Sequence, residues 1–258
     1  MIPRIKAEFR KLLSVRSTYI LIGLALVYVI FYDFYIVGFQ KGMHDGGSLS
    51  LHNPLFLMTE VMRAGGIAAP ILFSSIIAVL LMAHEYRYNT IMYTLTSSNS
   101  RSKTLIAKII AITGFAVIFS LALEILAPTF ALLGLHAHHV SLVRQIFYFR
   151  DFFWRVLFFG WAYAMIGVLL GLIFRNLVAS IVALFLLPVT IEPLIGLLLN
   201  MHEQQYLPFT ALTAVLNNGL IRIGPGVFSA RHSAVIVLVY LIIFWTLGWI
   251  FFLRRDAG

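Results

Sequence analysis

Six apolar stretches, each close to the length needed to cross a bilayer, constrain this chain more than any other feature. They cover residues 18–39, 65–83, 104–135, 152–174, 177–199 and 233–253. A helix needs about 20 residues to span ~30 Å of hydrocarbon. In that medium every backbone N–H and C=O must find a partner inside the protein, which leaves only helices or a closed barrel. Barrel strands would alternate polar and apolar residues over about ten positions, and these stretches do not. The expectation is therefore an all-α, polytopic membrane protein of six transmembrane helices, a single domain over residues 1–258. Composition agrees, with 61% of residues hydrophobic and 11% charged, against roughly a quarter charged in a soluble domain. A soluble enzyme and a nucleic-acid-binding module are excluded, despite a net charge of +9. In a membrane chain Lys and Arg set topology and meet anionic lipid headgroups. With no cysteine, thiolate chemistry is excluded too.

Before the first stretch, residues 1–16 read as a basic amphipathic helix. At ~100° per residue, Ile2, Ile5, Phe9, Leu12 and Leu13 share a narrow face, and Arg4, Lys6, Glu8, Arg10 and Lys11 fill the rest. That pattern suits a helix lying in the membrane interface. The apolar run behind it is longer than a signal-peptide core and ends in no A-x-A-like site, so the segment is expected to be retained. With six spans both termini share a side, and that side carries twelve of the nineteen Lys and Arg residues. The bias predicts cytoplasmic termini. Only Arg175 and Asn176 separate the fourth and fifth stretches, which predicts a tight helical hairpin. Outside, 136–151 reads as amphipathic, 147–161 as an aromatic interface belt, and 202–232 as irregular, because Pro208, Gly224, Pro225 and Gly226 interrupt it.

The most informative connection is 83–103, AHEYRYNTIMYTLTSSNSRSK. Tyr88, Ile91, Met92 and Leu95 fall at i, i+3, i+4 and i+7, one apolar stripe on a short helix. Glu85, Arg87 and Asn89 leave the other face polar. Such a helix either rests on headgroups or enters a groove on a soluble partner.

Here the residues resemble a known family. Lys6, Glu8, Lys11 and Leu12 fit K-x-E-x-x-K-L; Glu85, Arg87, Thr90 and Leu95 fit E-x-R-x-x-T-x-x-x-x-L; Ser100, Arg101 and Lys108 fit S-R-x-x-x-x-x-x-K. In that order around the spans, they are similar to the permease subunits of ABC-2 type ABC exporters. The resemblance implies a dimer with an identical or homologous second permease, each engaging a separate cytoplasmic ABC ATPase in a bacterial cytoplasmic membrane. It implies an elbow helix over residues 1–16, with Lys6, Glu8, Phe9, Lys11 and Leu12. Residues 85–100 would be the coupling segment, docking on the ATPase through Glu85, Arg87, Tyr88, Thr90, Ile91, Met92 and Leu95. ATP and Mg would sit on that partner, since this chain has no G-x-x-x-x-G-K-[ST] loop. The implied cargo is an amphipathic peptide, antibiotic or lipid-like molecule.

Ionisable groups at membrane depth are functional candidates because they are costly there. Asp33, next to Tyr32 and Tyr35, reads as an interfacial group in an aromatic belt. Glu124, four residues before Pro128, and Glu192, between Pro188 and Pro193, sit beside helix-breaking positions. Each is either a structural carboxyl bonded to freed backbone groups, or part of a substrate or proton path. The second choice defines the rival function, a proton-coupled secondary transporter using Glu124 and Glu192. The histidines His44, His52, His136, His138 and His139 read as solvated loop residues, because their spacing suits no regular metal site. No Ser/His/Asp order and no H-E-x-x-H motif offers a catalytic role.

Overall fold

The computed structural model describes residues 2–40, 69–87, 101–137, 153–217 and 229–254. No strand occurs among them. Helix α1 is Ile2–Ser14. The first span joins α2, Arg16–Val29, to a π-helical continuation over Ile30–Gln40. Then come α3, Ala69–Arg87; α4, Arg101–His136; and α5, Phe153–Phe174. The fifth span runs through α6, Leu177–Leu186, a π-helical turn at Leu187–Ile191 and α7, Glu192–Gly196. Two short helices follow, α8 (Met201–Gln204) and α9 (Pro208–Asn217), and α10, Ala230–Arg254, is the last. Six of these helical runs are long and apolar enough to cross a membrane. The chain is thus a multi-pass membrane protein by length and composition of its helices.

The spans are not equivalent. The fourth, α5, is the most enclosed, with 72% of its apolar window buried, against 17% for the fifth span. Small residues put α5 there. Lipid tails are as apolar as leucine, so helices in a bilayer associate by close packing, which small residues permit. A Cβ placed on Gly167 would stand 2.5 Å from the Ser75 carbonyl oxygen of α3, and one on Gly171 would stand 2.9 Å from Met82 Cβ. The hydroxyls of Ser74 and Ser75 donate back to the carbonyls of Ile71 and Leu72, each at 2.7 Å. They satisfy themselves and leave α3 smooth for its neighbour. A second close approach joins Gly38 of the first span to Gly134 of α4, where a Cβ on either would meet the other's Cα at 2.8 Å.

The α5–α6 hairpin is as tight as its sequence predicts. Arg175 adopts φ 50°, the left-handed conformation that reverses a chain quickly. Asn176 then caps α6, its side chain accepting from the N–H groups of Val178 (2.9 Å) and Ala179 (3.2 Å). Buried Met82, Leu105, Leu172 and Phe252 cluster together. They bring the last turns of α3, α5 and α10 to the first turns of α4, so the C-terminal end of α10 lies at the end of the bundle where α1 packs.

Two expectations need correcting. Pro208 does not break the outer stretch; it opens α9, where its missing N–H costs nothing and its fixed φ suits the helix. On α1 the buried residues are Glu8 and Leu12, whereas Ile2 is 79% exposed. The cause is an internal demand for the Glu8 carboxylate, described below. The coupling stripe Tyr88, Ile91, Met92 and Leu95, with Thr90, lies outside the described residues, as do His44, His52, His138 and His139.

The packing predicts that Gly167→Leu forces α3 and α5 apart and destabilises the protein by about 3 kcal/mol or more. Gly23→Leu serves as the control, because nothing lies within 4 Å of a Cβ at Gly23. Thermal unfolding in detergent should show a large loss for the first variant and a change within about 0.5 kcal/mol for the second. Equal behaviour of the two would remove the close α3–α5 contact as a cause of stability.

Candidate functional site: a buried charge ring

Four charged side chains from three distant parts of the sequence meet where α1 crosses α3 and α4. Lys11 Nζ lies 2.9 Å from Glu8 Oε1 and 2.8 Å from Glu85 Oε1. Lys108 Nζ lies 2.7 Å from Glu8 Oε2 and 2.8 Å from Glu85 Oε1. Charges alternate around the ring, every neighbour is of opposite sign, and the net charge is zero. Lys108 is 2% exposed, and Glu8 and Glu85 are almost as deeply buried.

Local structure explains each position. Glu8 and Lys11 are three residues apart, which places them on one face of a helix. Glu85 ends the apolar part of α3, and Lys108 lies two turns into α4, where a cation without partners would be expensive. Arg175, in the α5–α6 turn, sits at the same end, its guanidinium 5.1 Å from the centre of the Tyr86 ring. Burial by itself would lower the pKa of the Lys11 ammonium. The hydrogen bonds to Glu8 and Glu85 and the charges of both carboxylates outweigh that, so its pKa stands above the usual 10.5.

The ring unites Glu8 and Lys11, Glu85, and Lys108, one contribution from each of the three sequence fragments. It pairs Glu85 with two lysines inside the chain. Leu12 is buried and Phe9 packs against the core, while Lys6 is exposed. Lys108 is the functional residue least visible in advance, because it reads as a flank of the third stretch. The signal that identifies it is its position: a lysine within an apolar run needs a carboxylate.

The two membrane carboxylates separate in kind. Glu192 accepts from the Phe209 N–H at 2.8 Å, from the Thr210 hydroxyl at 2.6 Å and from the Thr210 N–H. It caps the N-terminus of α9, where unpaired N–H groups and the helix dipole favour an anion. Beside it lies a cleft of about 330 Å³, lined by Pro188, Pro193, Gln204 and Thr213 among others. Gln204 donates to the carbonyls of Gly196 (2.9 Å) and Leu199 (3.2 Å), where the fifth span ends. Glu124 is buried with neither oxygen hydrogen-bonded. Asp33 is not held by hydrogen bonds to the tyrosines beside it. It is fully buried, and both its oxygens are also without a hydrogen bond, because the π-helical segment that carries it packs on α4. Among the described residues no three His, Cys, Asp or Glu side chains are placed to share a metal ion.

Two predictions follow from the ring. Lys108→Met leaves two buried carboxylates facing one lysine and should cost about 3–5 kcal/mol. Exchanging the pair as Glu85→Lys with Lys108→Glu should not rescue it, because the new lysine meets Lys11 and the new glutamate meets Glu8. Thermal unfolding of both variants checks this, and full recovery in the exchange would contradict the four-membered arrangement. The second concerns pH. A folded-state pKa raised above its unfolded value stabilises fully below the unfolded value and is lost as pH rises through the folded one. The stability difference between wild type and Lys11→Gln should therefore stay constant through neutral pH and shrink only above 10.5. A difference already gone by about pH 9 would contradict the paired state of Lys11.

No curated protein matches the chain. A family model described as "Protein of unknown function (DUF2705)" matches residues 16–257, from the start of the first span to beyond the sixth. Helix α1, with half of the charge ring, precedes the matched region. A match over nearly the whole length shows that the chain belongs to the DUF2705 family.

Proposed function

We propose that this protein is the permease subunit of an ATP-binding-cassette exporter of the ABC-2 type, acting as a dimer and driven by a separate cytoplasmic ATPase. The observation that supports the reading best is the convergence of the three motif fragments on one charge ring. The ring lies where α3 gives way to residues 88–100, which carry the apolar stripe Tyr88, Ile91, Met92 and Leu95.

The arrangement suits coupling. A partner shifts a two-state equilibrium only through different affinities for the two states. The stripe would supply that difference by occupying a groove on the ATPase, with Arg87 and Thr90 at its start. A pull on the segment reaches Glu85 three residues before Tyr88, and from there Lys11 and Lys108. Displacement at the docking helix would then be passed to α1, α3 and α4 together. This chain contributes no catalytic group. ATP and Mg belong to the partner, both termini are cytoplasmic, and the cargo path lies between two permeases.

Glu124 keeps the rival reading in view, since a buried carboxyl without a hydrogen bond is what a proton-coupled transporter would use. Glu192 fits that role poorly, being engaged as the cap of α9.

The deciding experiment is a mild-detergent pull-down of the tagged protein from its native membranes, beside the quadruple variant with Tyr88, Ile91, Met92 and Leu95 changed to Ser. A Walker-type ATPase should accompany the wild type in stoichiometric amount and be lost with the variant. Transport by the isolated wild-type chain in liposomes without ATP would overturn the reading and direct attention to Glu124.

A further inference from the structure

The charge ring changes the outward side of α1. Glu8 is the one acidic residue of that helix, and its carboxylate is directed inward. What remains outside is cationic without compensation. Lys6 and Arg10 are exposed, carry no acidic partner among the described residues, and line one groove of about 500 Å³ together with Pro3, Ala7 and Ser14. Lys11, at the edge of the groove, keeps 43% of its side chain exposed. Lys6 and Arg10 are four residues apart, so they are neighbours on the helix surface.

The apolar residues of α1 run along one border of this patch. At ~100° per residue, Ile2 and Leu13 fall between the buried side and Lys6. They are 79% and 36% exposed. Around the helix the order is therefore protein, exposed apolar edge, cations. That order matches the passage from acyl chain to headgroup for a helix lying in a membrane interface. The height is right as well, because Arg16 begins the first span only two residues after α1 ends.

We infer that the Lys6/Arg10 groove of α1 is a binding site for the phosphate headgroup of an anionic phospholipid, with Ile2 and Leu13 against its acyl chains. The exposed apolar edge favours a lipid over an acidic protein surface, which would leave Ile2 and Leu13 in water. The inference does not rest on the exporter reading, since it uses only the exposed side of α1 and the start of the first span.

The test is native mass spectrometry of the purified full chain titrated with phosphatidylglycerol or with phosphatidylcholine. Wild type should retain phosphatidylglycerol selectively. Each cation near an anionic surface contributes a factor of about five, so Lys6→Gln with Arg10→Gln should weaken phosphatidylglycerol binding about 25-fold and leave phosphatidylcholine unchanged. Lys6→Arg with Arg10→Lys should keep the selectivity, and controls for folding. Ile2→Ser with Leu13→Ser should weaken both lipids. Equal phosphatidylglycerol retention by wild type and the Gln variant would overturn the proposal. So would displacement of the lipid by glycerol phosphate, which would mark a site for a soluble phosphate. Unchanged lipid retention with loss of a co-purifying protein would assign the groove to an acidic protein surface and overturn it too.

Discussion

A fully buried lysine must be paired, and much of this structure answers to Lys108. Its ammonium is almost wholly buried in α4 and meets two carboxylates, one from the N-terminal helix and one from the end of α3. Two carboxylates facing one lysine would leave a negative charge behind, and Lys11 removes it. The ring is therefore a minimal neutral solution, and its members are not interchangeable. Burying three charges is no efficient source of stability, since desolvation offsets most of their attraction. What it supplies is placement. Helix α1 can sit in one position only, because a slip by one residue would turn Glu8 away from Lys108 and Lys11 away from Glu85.

The same accounting governs the fifth span, with backbone groups in place of charges. Prolines at 188 and 193 remove N–H donors, and the helix passes through a π-helical turn before ending at Gly196. In a bilayer the carbonyls at its end cannot wait for water. Gln204 reaches back to two of them, those of Gly196 and Leu199, and Glu192 satisfies the opposite need, the free N–H groups of α9. The end of the span is thus closed by side chains on both sides. Phe209, next to Pro208 at the start of α9, packs against the Tyr163 ring of α5 at 6.1 Å, which ties α9 to the most enclosed span.

How much of this was legible in the sequence follows from the range of the interaction concerned. The six spans were legible because hydrocarbon thickness acts on every residue of a stretch at once; the first and last begin only two to three residues earlier in the structure than expected. The α5–α6 hairpin was legible because two residues leave no alternative. The inward turn of Glu8 was not, since helical periodicity ranks it with the polar face and only a partner 100 residues away reverses that. Glu192 was half legible. Its neighbouring prolines announced a broken helix, but they pointed to freed carbonyls, whereas the carboxylate serves the N–H groups of another helix. Pro208 was misread for want of its context: proline at an interior position breaks a helix, and at the first position it starts one.

The small-residue contacts and the ring divide the bundle in a way neither does alone. Gly167 and Gly171 hold α5 against α3, and Gly38 with Gly134 holds the first span against α4. These are two close pairs, each fixed along backbone that cannot separate without losing its packing. Glu85 belongs to one pair and Lys108 to the other, so the ring bridges them at one end. Dispersion contacts between glycine-lined helices fall away over fractions of an ångström. Alternating charges weaken more gradually with distance. The polar bridge is accordingly the longer-ranged of the two kinds of contact, and it lies at the end of the bundle where α1 packs.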